Sequence, residues 1–532
     1  MPGEDTDVVV VGSGAAGLTA ALSAAARGLR VTVLEKAPVL GGTTAISGGS
    51  IWVPGNRFLP DDSAEEALTY LRRLTLGRVG DELLARFVEA VNPMVDFVVA
   101  HTGLEFAPNL EHPDYQPGLP GARPGGRTLQ GGLYDSTRLG ELRRLMRPPH
   151  STVPVTKLEL DEWGMDTLDR WDWALIAERT AKGVVGMGSA LVGELLEACL
   201  REGAVVTVDA RAEELVRDGT GRVTGLMATV DGRRTEYAAS RGVVLASGGF
   251  EWDSALVDRF LGVLMVAPGS PPANEGDGLR MAMSAGAALG NMSEAWWDPM
   301  LDVVGDEYDG RPLHRPTSGL RALPGGIIVN RRGRRFVDEA MNYNDCGKAL
   351  AVFDPVAYEY ANLPCWLVFD QRFRDAYSVA TVTPDAPTPA WMVKAGSLAE
   401  LAGAVGIDPA GLAAEVREYN AHAVRGEDPA FHRGESVYDR YRGDARVTPH
   451  RNLRPLEDGP YYAVALRLGC LGTKGGPVTN VDGAVLDVHG DRIPGLFACG
   501  NVAASAFGPG YPGAGATLAA AMTFGYLIGR AA

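Results

Sequence analysis

Residues 7–11 read DVVVV, a continuous apolar, β-branched run stopped by Gly12, the pattern of a strand buried on both faces of a parallel sheet. The alanine-rich stretch AAGLTAALSAAARG, starting at Ala15, predicts a helix ended at Gly28, and RVTVLE then predicts a second strand finishing on Glu35. Further on, residues 203–215 read as a strand and turn. GVVLA from Gly242 and GLFA from Gly495 read as buried strands ending in glycine-bearing turns, and PCWLVFD (364–370) as another buried strand. Asp408 and Pro409 stand where an N-cap and a first-turn proline belong. Leu412, Val416, Tyr419 and Ala423 then recur on one helical face, a stripe that predicts core packing. A last apolar helix begins after Gly515 with Ala516, Thr517 and Leu518.

The strand, turn and helix at the start give the run Gly12-Ser13-Gly14-Ala15-Ala16-Gly17 its meaning. In such a unit Gly12 permits the tight turn, Gly14 lets a pyrophosphate approach the backbone, and Gly17 packs helix on strand. Glu35, followed by Lys36, ends the second strand, where a carboxylate accepts the hydroxyls of an adenosine ribose and disfavours a 2′-phosphate. Just beyond lies Gly41-Gly42-Thr43-Thr44-Ala45-Ile46-Ser47-Gly48-Gly49. A second glycine-rich, hydroxyl-bearing loop there suits a pyrophosphate and a flavin, so non-covalent FAD is expected rather than NAD. The start of the last helix, with its free amides and positive dipole end, suits the flavin pyrimidine.

At 532 residues the chain exceeds what one core usually serves. Cofactor segments near both ends predict a Rossmann-type α/β FAD-binding domain, 1–289 with 456–532, interrupted by an α+β catalytic domain, 290–455, that caps the substrate. A net charge of -16 argues against nucleic acid as partner. The run Arg331, Arg332, Arg334, Arg335 alternates with other residues and reads as a turn between strands. Five cysteines without a CxxC pair and eight histidines without ligand spacing offer neither a disulfide framework nor a metal site. No apolar run is long enough for a transmembrane segment, and the acidic start is unlike a secretory signal, so a cytoplasmic protein is expected.

Several segments resemble the FAD-dependent fumarate reductase and 3-ketosteroid dehydrogenase superfamily over nearly the whole chain. Ala212 matches the position whose backbone meets adenine. Ala246-Ser247-Gly248-Gly249-Phe250 is similar to the superfamily's A-[ST]-G-G-[FY], Asn274-Glu275-Gly276-Asp277-Gly278 to its N-x-G-D-G turn, and Gly495 to Asn501, with Gly500, to G-L-[FY]-A-x-G-[ND]. Fumarate reductases place an arginine proton donor shortly after V-N-x-x-G-x-R-F-x-x-E. Here Val329 to Glu339 match that motif, and Tyr343 stands where the arginine would be.

Tyr343 matches the catalytic tyrosine of 3-ketosteroid Δ1-dehydrogenases. Pro113-Asp114-Tyr115, with Gly125-Gly126-Arg127, resembles that family's second tyrosine segment, and Tyr511-Pro512-Gly513-Ala514-Gly515 its Y-P-G-P-G loop, with alanine replacing a proline. The resemblance implies 1,2-desaturation of a 3-ketosteroid, with a quinone or another carrier reoxidising the flavin. The chemistry needs a ketone-oxygen clamp, for which Tyr511 O–H and Gly515 N–H are candidates. It needs a base, Tyr343, and a group that stabilises its anion, Tyr115. Trp296 and Trp297 offer a lining for an apolar substrate cleft but read first as buried packing. A desaturase or enoate reductase of another cyclic ketone, a fumarate reductase-like enzyme and a non-redox flavin protein stay open as alternatives.

Overall fold

The computed structural model describes residues 6–149, 153–164, 167–262 and 265–532. A six-stranded sheet runs in the order Ala484–Leu486, Arg492–Ala498, Gly242–Leu245, Val8–Val11, Val31–Leu34, Val205–Thr207. Every neighbouring pair is parallel except the first, which is antiparallel. Val8–Val11 is buried along its whole length, as a strand covered on both faces must be. The chain leaves it for Val31–Leu34 on one side and later enters Gly242–Leu245 on the other. The carboxyl end of Val8–Val11 is therefore a topological switch point, where open α/β sheets form their ligand crevice.

The first helix is Ala15–Ala25, and a turn carries the chain on to Gly28, at φ 82°. The last helix, Ala516–Ala531, lies against it. Ser23 Oγ donates to the Tyr526 carbonyl at 2.9 Å, and Arg27 reaches the Gly529 carbonyl at 2.9 Å. The two ends of the chain thus close on each other, which brings the loop before Ala516 to the switch point.

A second sheet runs Arg311–Pro316, Ala295–Tyr308, Tyr461–Thr473, Cys365–Asp370, Gly326–Asn330. The insertion expected at 290–455 has this sheet, but the central strand Tyr461–Thr473 follows residue 455, and Ala267–Pro268, which pairs with it, precedes residue 290. Neither strand carries a cofactor motif, so motif positions alone do not reveal where they pair. Helix Pro409–Ala423 begins with Asp408 accepting from the Ala410 amide, and Leu412, Val416, Tyr419 and Ala423 are buried. They pack on Ile327, Val329 and Val368. The basic run turns after Gly326–Asn330, and Arg335 pairs back with Val329 as an isolated bridge. Its guanidinium is buried between Glu339 and Asp428, each at 2.7 Å.

Residues 51–185 join neither large sheet. They hold a small sheet of Ile51–Trp52, Thr128–Gly131 and Phe106–Pro108, with helices Ala64–Leu74 and Asp81–His101. Most of their buried side chains share an apolar core with the first and last helices, whereas Val155, Leu160 and Ile176 form a small cluster of their own. Among the described residues, no helix is long and apolar enough to cross a membrane.

Candidate active site

Tyr115, Tyr343 and Tyr511, hundreds of residues apart in sequence, meet in one buried cluster. The Tyr115 hydroxyl donates to that of Tyr343 at 3.0 Å. The Tyr511 ring centroid lies 5.0 Å from that of Tyr115 and 5.4 Å from that of Tyr343. Thr517 Oγ1 donates to the Tyr511 hydroxyl at 3.1 Å, which leaves the tyrosine's own proton to point elsewhere. Burial raises the pKa of all three phenols, and for Tyr343 the neighbouring Tyr115 and Tyr511 push in the same direction.

Local chemistry explains the convergence. Asn342 caps helix Tyr343–Leu350 by accepting from the Asp345 amide at 3.0 Å, while its Nδ2 donates to the Tyr115 carbonyl at 3.1 Å. One side chain thereby sets both the start of the Tyr343 helix and the Tyr115 loop. The Tyr115 amide and the Tyr70 hydroxyl both donate to the Pro512 carbonyl, at 3.0 Å and 2.8 Å. Thr128 Oγ1 donates to the Ala514 carbonyl at 3.1 Å. The Tyr511 loop is therefore anchored by hydrogen bonds where the related loop carries a second proline. Gly515 ends it at φ 86°, and a Cβ there would sit 2.3 Å from the Ser50 carbonyl oxygen, so no side chain fits.

Arg127 is structural in this arrangement. Its guanidinium is buried against Asp62 at 2.6 Å and Asp114 at 2.7 Å. Asp114 also accepts from Trp52 Nε1 at 2.7 Å. Burial raises the Asp114 carboxyl to about 6, against the pull of Arg127. This pair braces the backbone immediately before Tyr115.

The expected FAD residues line the switch point. A Cβ on Gly12, at φ 105°, would meet the Ala246 carbonyl oxygen at 2.4 Å, and one on Gly17 the Gly12 carbonyl oxygen at 2.0 Å, so turn and helix approach as the glycine spacing predicts. Gly14 and Gly515, the N-caps of the first and last helices, have no side chain to cap with, and the amides of Ala16, Thr517 and Leu518 have no side-chain acceptor among the described residues. The Ala15 amide meets Thr44 Oγ1 at 2.9 Å. Glu35 accepts from the Ser13 amide and Oγ, at 3.1 Å and 2.6 Å, which fixes its carboxylate at the strand end. Ser247 Oγ is buried without a partner among the described residues, as a hydroxyl reserved for a bound group would be. A close-packed glycine turn, a fixed carboxylate at the strand end and an orphaned hydroxyl fit a dinucleotide flavin.

Other expected residues belong to the same frame. Ala212 is buried in strand Ala210–Arg217. Asn274 Nδ2 donates to Thr43 Oγ1 at 2.9 Å, and Asp277 pairs with Lys36 at 2.6 Å. Ser47 Oγ donates to the Thr44 carbonyl at 2.7 Å, and Gly42, Gly48 and Gly49 complete that loop. Gly248 and Gly249 pass close to Asn274 and Thr473. Asn501, after Gly500, accepts from Trp296 Nε1 at 3.0 Å.

Sequence reasoning missed four groups. Glu251, buried, accepts from Asn274 and Ser270, at 2.8 Å and 2.5 Å, and so braces the turn after Ser247. Tyr438 lies 5.2 Å from Tyr115 ring to ring, and its buried hydroxyl has no partner among the described residues. Arg442 extends from the same short helix, over the Tyr438 ring at 5.8 Å and the Tyr441 ring at 5.4 Å. Lys474 is buried under Tyr511 and Trp296. Glu251 lies one residue beyond the Ser247-Gly248-Gly249-Phe250 motif and outside its pattern, and an isolated tyrosine, arginine or lysine carries no spacing signal. Trp296, expected as packing, stands edge-on to Tyr511 at 4.5 Å and so borders the cluster, whereas Trp297 packs in the core of the second sheet.

The FAD binding domain family model matches residues 7–518. A 4-oxocyclohexanecarboxylate 2-dehydrogenase of Sinomonas cyclohexanicum is 45% identical, over 99% of this chain and 93% of its own length. A 3-oxosteroid 1-dehydrogenase of Mycobacterium tuberculosis is 38% identical, over 99% and 98%. Among solved structures, 3-ketosteroid Δ1-dehydrogenase of Sterolibacterium denitrificans, in complex with 1,4-androstadiene-3,17-dione, superposes with a TM-score of 0.93 at 35% identity, covering 99% of each chain. The chain belongs to the FAD binding domain family and is an FAD-dependent oxidoreductase acting on CH–CH bonds.

Proposed function

We propose that the protein desaturates a cyclic ketone next to its carbonyl. The observation that carries this reading is the buried Tyr115–Tyr343 hydroxyl pair at 3.0 Å, with the Tyr511 ring beside it and Gly515 at the end of the Tyr511 loop. Tyr511 O–H and Gly515 N–H hold the ketone oxygen and stabilise the negative charge that grows there as the α C–H is broken. Tyr343, as its phenolate, takes that proton and becomes neutral while the charge passes to the ketone oxygen. Before the transfer the Tyr115 hydroxyl donates to the phenolate oxygen and stabilises it. Bound FAD supplies the acceptor for the hydride lost from the β carbon. Burial of all three rings excludes water from the enolate.

For the substrate, we favour a six-membered ring ketone bearing a carboxylate. The relative of 45% identity acts on one, and the buried-side cation Arg442, beside Tyr438 and Tyr441, complements such a group. The second reading is 1,2-desaturation of a 3-ketosteroid, supported by the TM-score of 0.93 to a steroid dehydrogenase. Anaerobic bleaching of the flavin by 4-oxocyclohexanecarboxylate, androst-4-ene-3,17-dione and cyclohexanone tests both. Bleaching by the steroid alone would reverse the preference, and bleaching by none would remove the cyclic-ketone reading. Tyr343→Phe should keep its FAD and lose about 10²- to 10⁴-fold in turnover. Unchanged turnover would remove Tyr343 from the mechanism.

A further inference from the structure

Lys474 has no solvent exposure and no carboxylate within ion-pairing distance among the described residues. An ammonium taken out of water without a counter-charge is costly, and methionine or leucine would fill the same space at no such cost. Burial pulls its pKa down to about 7. Lys348 adds to that effect, and Glu294 and Asp345 oppose it. A residue this unfavourable for folding alone suggests a functional demand.

Its three donors have definite targets. Nζ bonds the Gly510 carbonyl at 2.7 Å, and also faces the Pro509 carbonyl at 3.5 Å and Asn344 Oδ1 at 3.5 Å. Gly510 precedes Tyr511, and Asn344 follows Tyr343. The same ammonium lies 4.2 Å above the Trp296 ring and 5.8 Å from that of Tyr511, where the aromatic faces partly replace its lost hydration. Lys474 itself is rigidly held, its amide donating to the Glu294 carbonyl at 2.9 Å and its carbonyl accepting from the Ser505 amide at 3.0 Å. Lys348, on the Tyr343 helix, also donates to the Pro509 carbonyl, at 2.6 Å.

We propose that Lys474 is a positioning residue that ties the Tyr511 loop to the start of the Tyr343 helix, through Gly510 and Asn344, and so keeps the oxygen clamp and the base in register across the substrate. The claim rests on the roles given to Tyr343 and Tyr511 above. It goes beyond them by identifying a group that holds two catalytic tyrosines, borne on segments far apart in sequence, at a fixed separation. A neutral lysine retains two donors, so the tie weakens rather than vanishes when Lys474 loses its proton.

The test uses the FAD-loaded enzyme, with 4-oxocyclohexanecarboxylate or whichever ketone bleaches the wild type. In Lys474→Met, the rate of flavin reduction per bound FAD should fall about 10- to 100-fold, the size expected when reacting groups drift by about 1 Å. Substrate KM should change by less than about threefold, because the lysine does not touch the ketone. Lys474→Gln, which keeps a donor without the charge, should fall between this variant and the wild type. It also serves if the methionine variant does not fold. A purely structural lysine would lower FAD content or thermal stability while leaving the rate per bound FAD intact. That result in either variant overturns the proposal. Tyr343→Phe and Tyr511→Phe run in parallel. If they are inactive while the lysine variants are normal, the tie alone falls. If they reduce flavin at the wild-type rate, the proposed function falls and the tie with it.

Discussion

Replacing Gly515 with alanine probes the point where backbone geometry and chemistry meet. At φ 86° an alanine pays roughly 1–2 kcal/mol for the left-handed conformation. Its Cβ would also lie 2.3 Å from the Ser50 carbonyl oxygen and 2.6 Å from the Ile51 amide nitrogen, all backbone at the start of a paired strand. Something must open by about 0.7 Å merely to reach the 3.0 Å below which real Cβ contacts do not occur. The Ser50 side is tied into the sheet, so the 511–516 loop moves. That motion displaces the Gly515 amide together with those of Ala516 to Leu518 at the start of the last helix. Loss of one oxyanion donor costs about 10²- to 10³-fold in rate, equivalent to roughly 3–4 kcal/mol. Gly515→Ala should therefore lower anaerobic flavin reduction by about 10²-fold or more, weaken FAD retention, and lower the unfolding midpoint. Stopped-flow bleaching, flavin quantitation and thermal unfolding report the three effects separately. Reduction within about threefold of wild type, with full FAD content, would show that the amide is not aimed at the reacting oxygen.

Arg127→Met leaves Asp114 buried without its cation and Asp62 facing Arg123 at 3.5 Å, and should destabilise by about 3–5 kcal/mol. Because the folded-state pKa of Asp114 is raised to about 6, above its unfolded value, the folded protein takes up a proton as pH falls through that region. The deficit, measured by denaturant titration, should shrink on the acid side and grow toward neutral pH. The Tyr343 phenol is pushed up by burial, so kcat/KM should still be rising between about pH 7 and about pH 9, and a flat profile there would argue for a different base. Arg442→Met should raise KM for 4-oxocyclohexanecarboxylate by about tenfold or more, the equivalent of about 1.4 kcal/mol, and leave cyclohexanone unaffected. Equal effects on both ketones would place Arg442 outside the substrate site.

The cofactor half of this protein is written locally. Val8–Val11, the glycine run, Ala15–Ala25 and Glu35 lie within thirty residues of one another, and each element is dictated by burial, turn strain or helix propensity acting over a few positions. The helix from Pro409 was legible for the same reason, since its cap and apolar stripe lie within one short window. Tyr343 and Tyr511 became candidates through family resemblance rather than periodicity, because one tyrosine among sixteen carries no pattern. Tertiary structure decided what spacing cannot encode. It placed Tyr461–Thr473 at the centre of the second sheet, where strand partners are chosen by long-range hydrogen bonding. It also gathered Tyr438, Arg442 and Lys474 around the tyrosines and set Glu251 against Asn274 and Ser270. A buried charge is recognised by what surrounds it, and those surroundings exist only once segments from 50 to 520 have packed together.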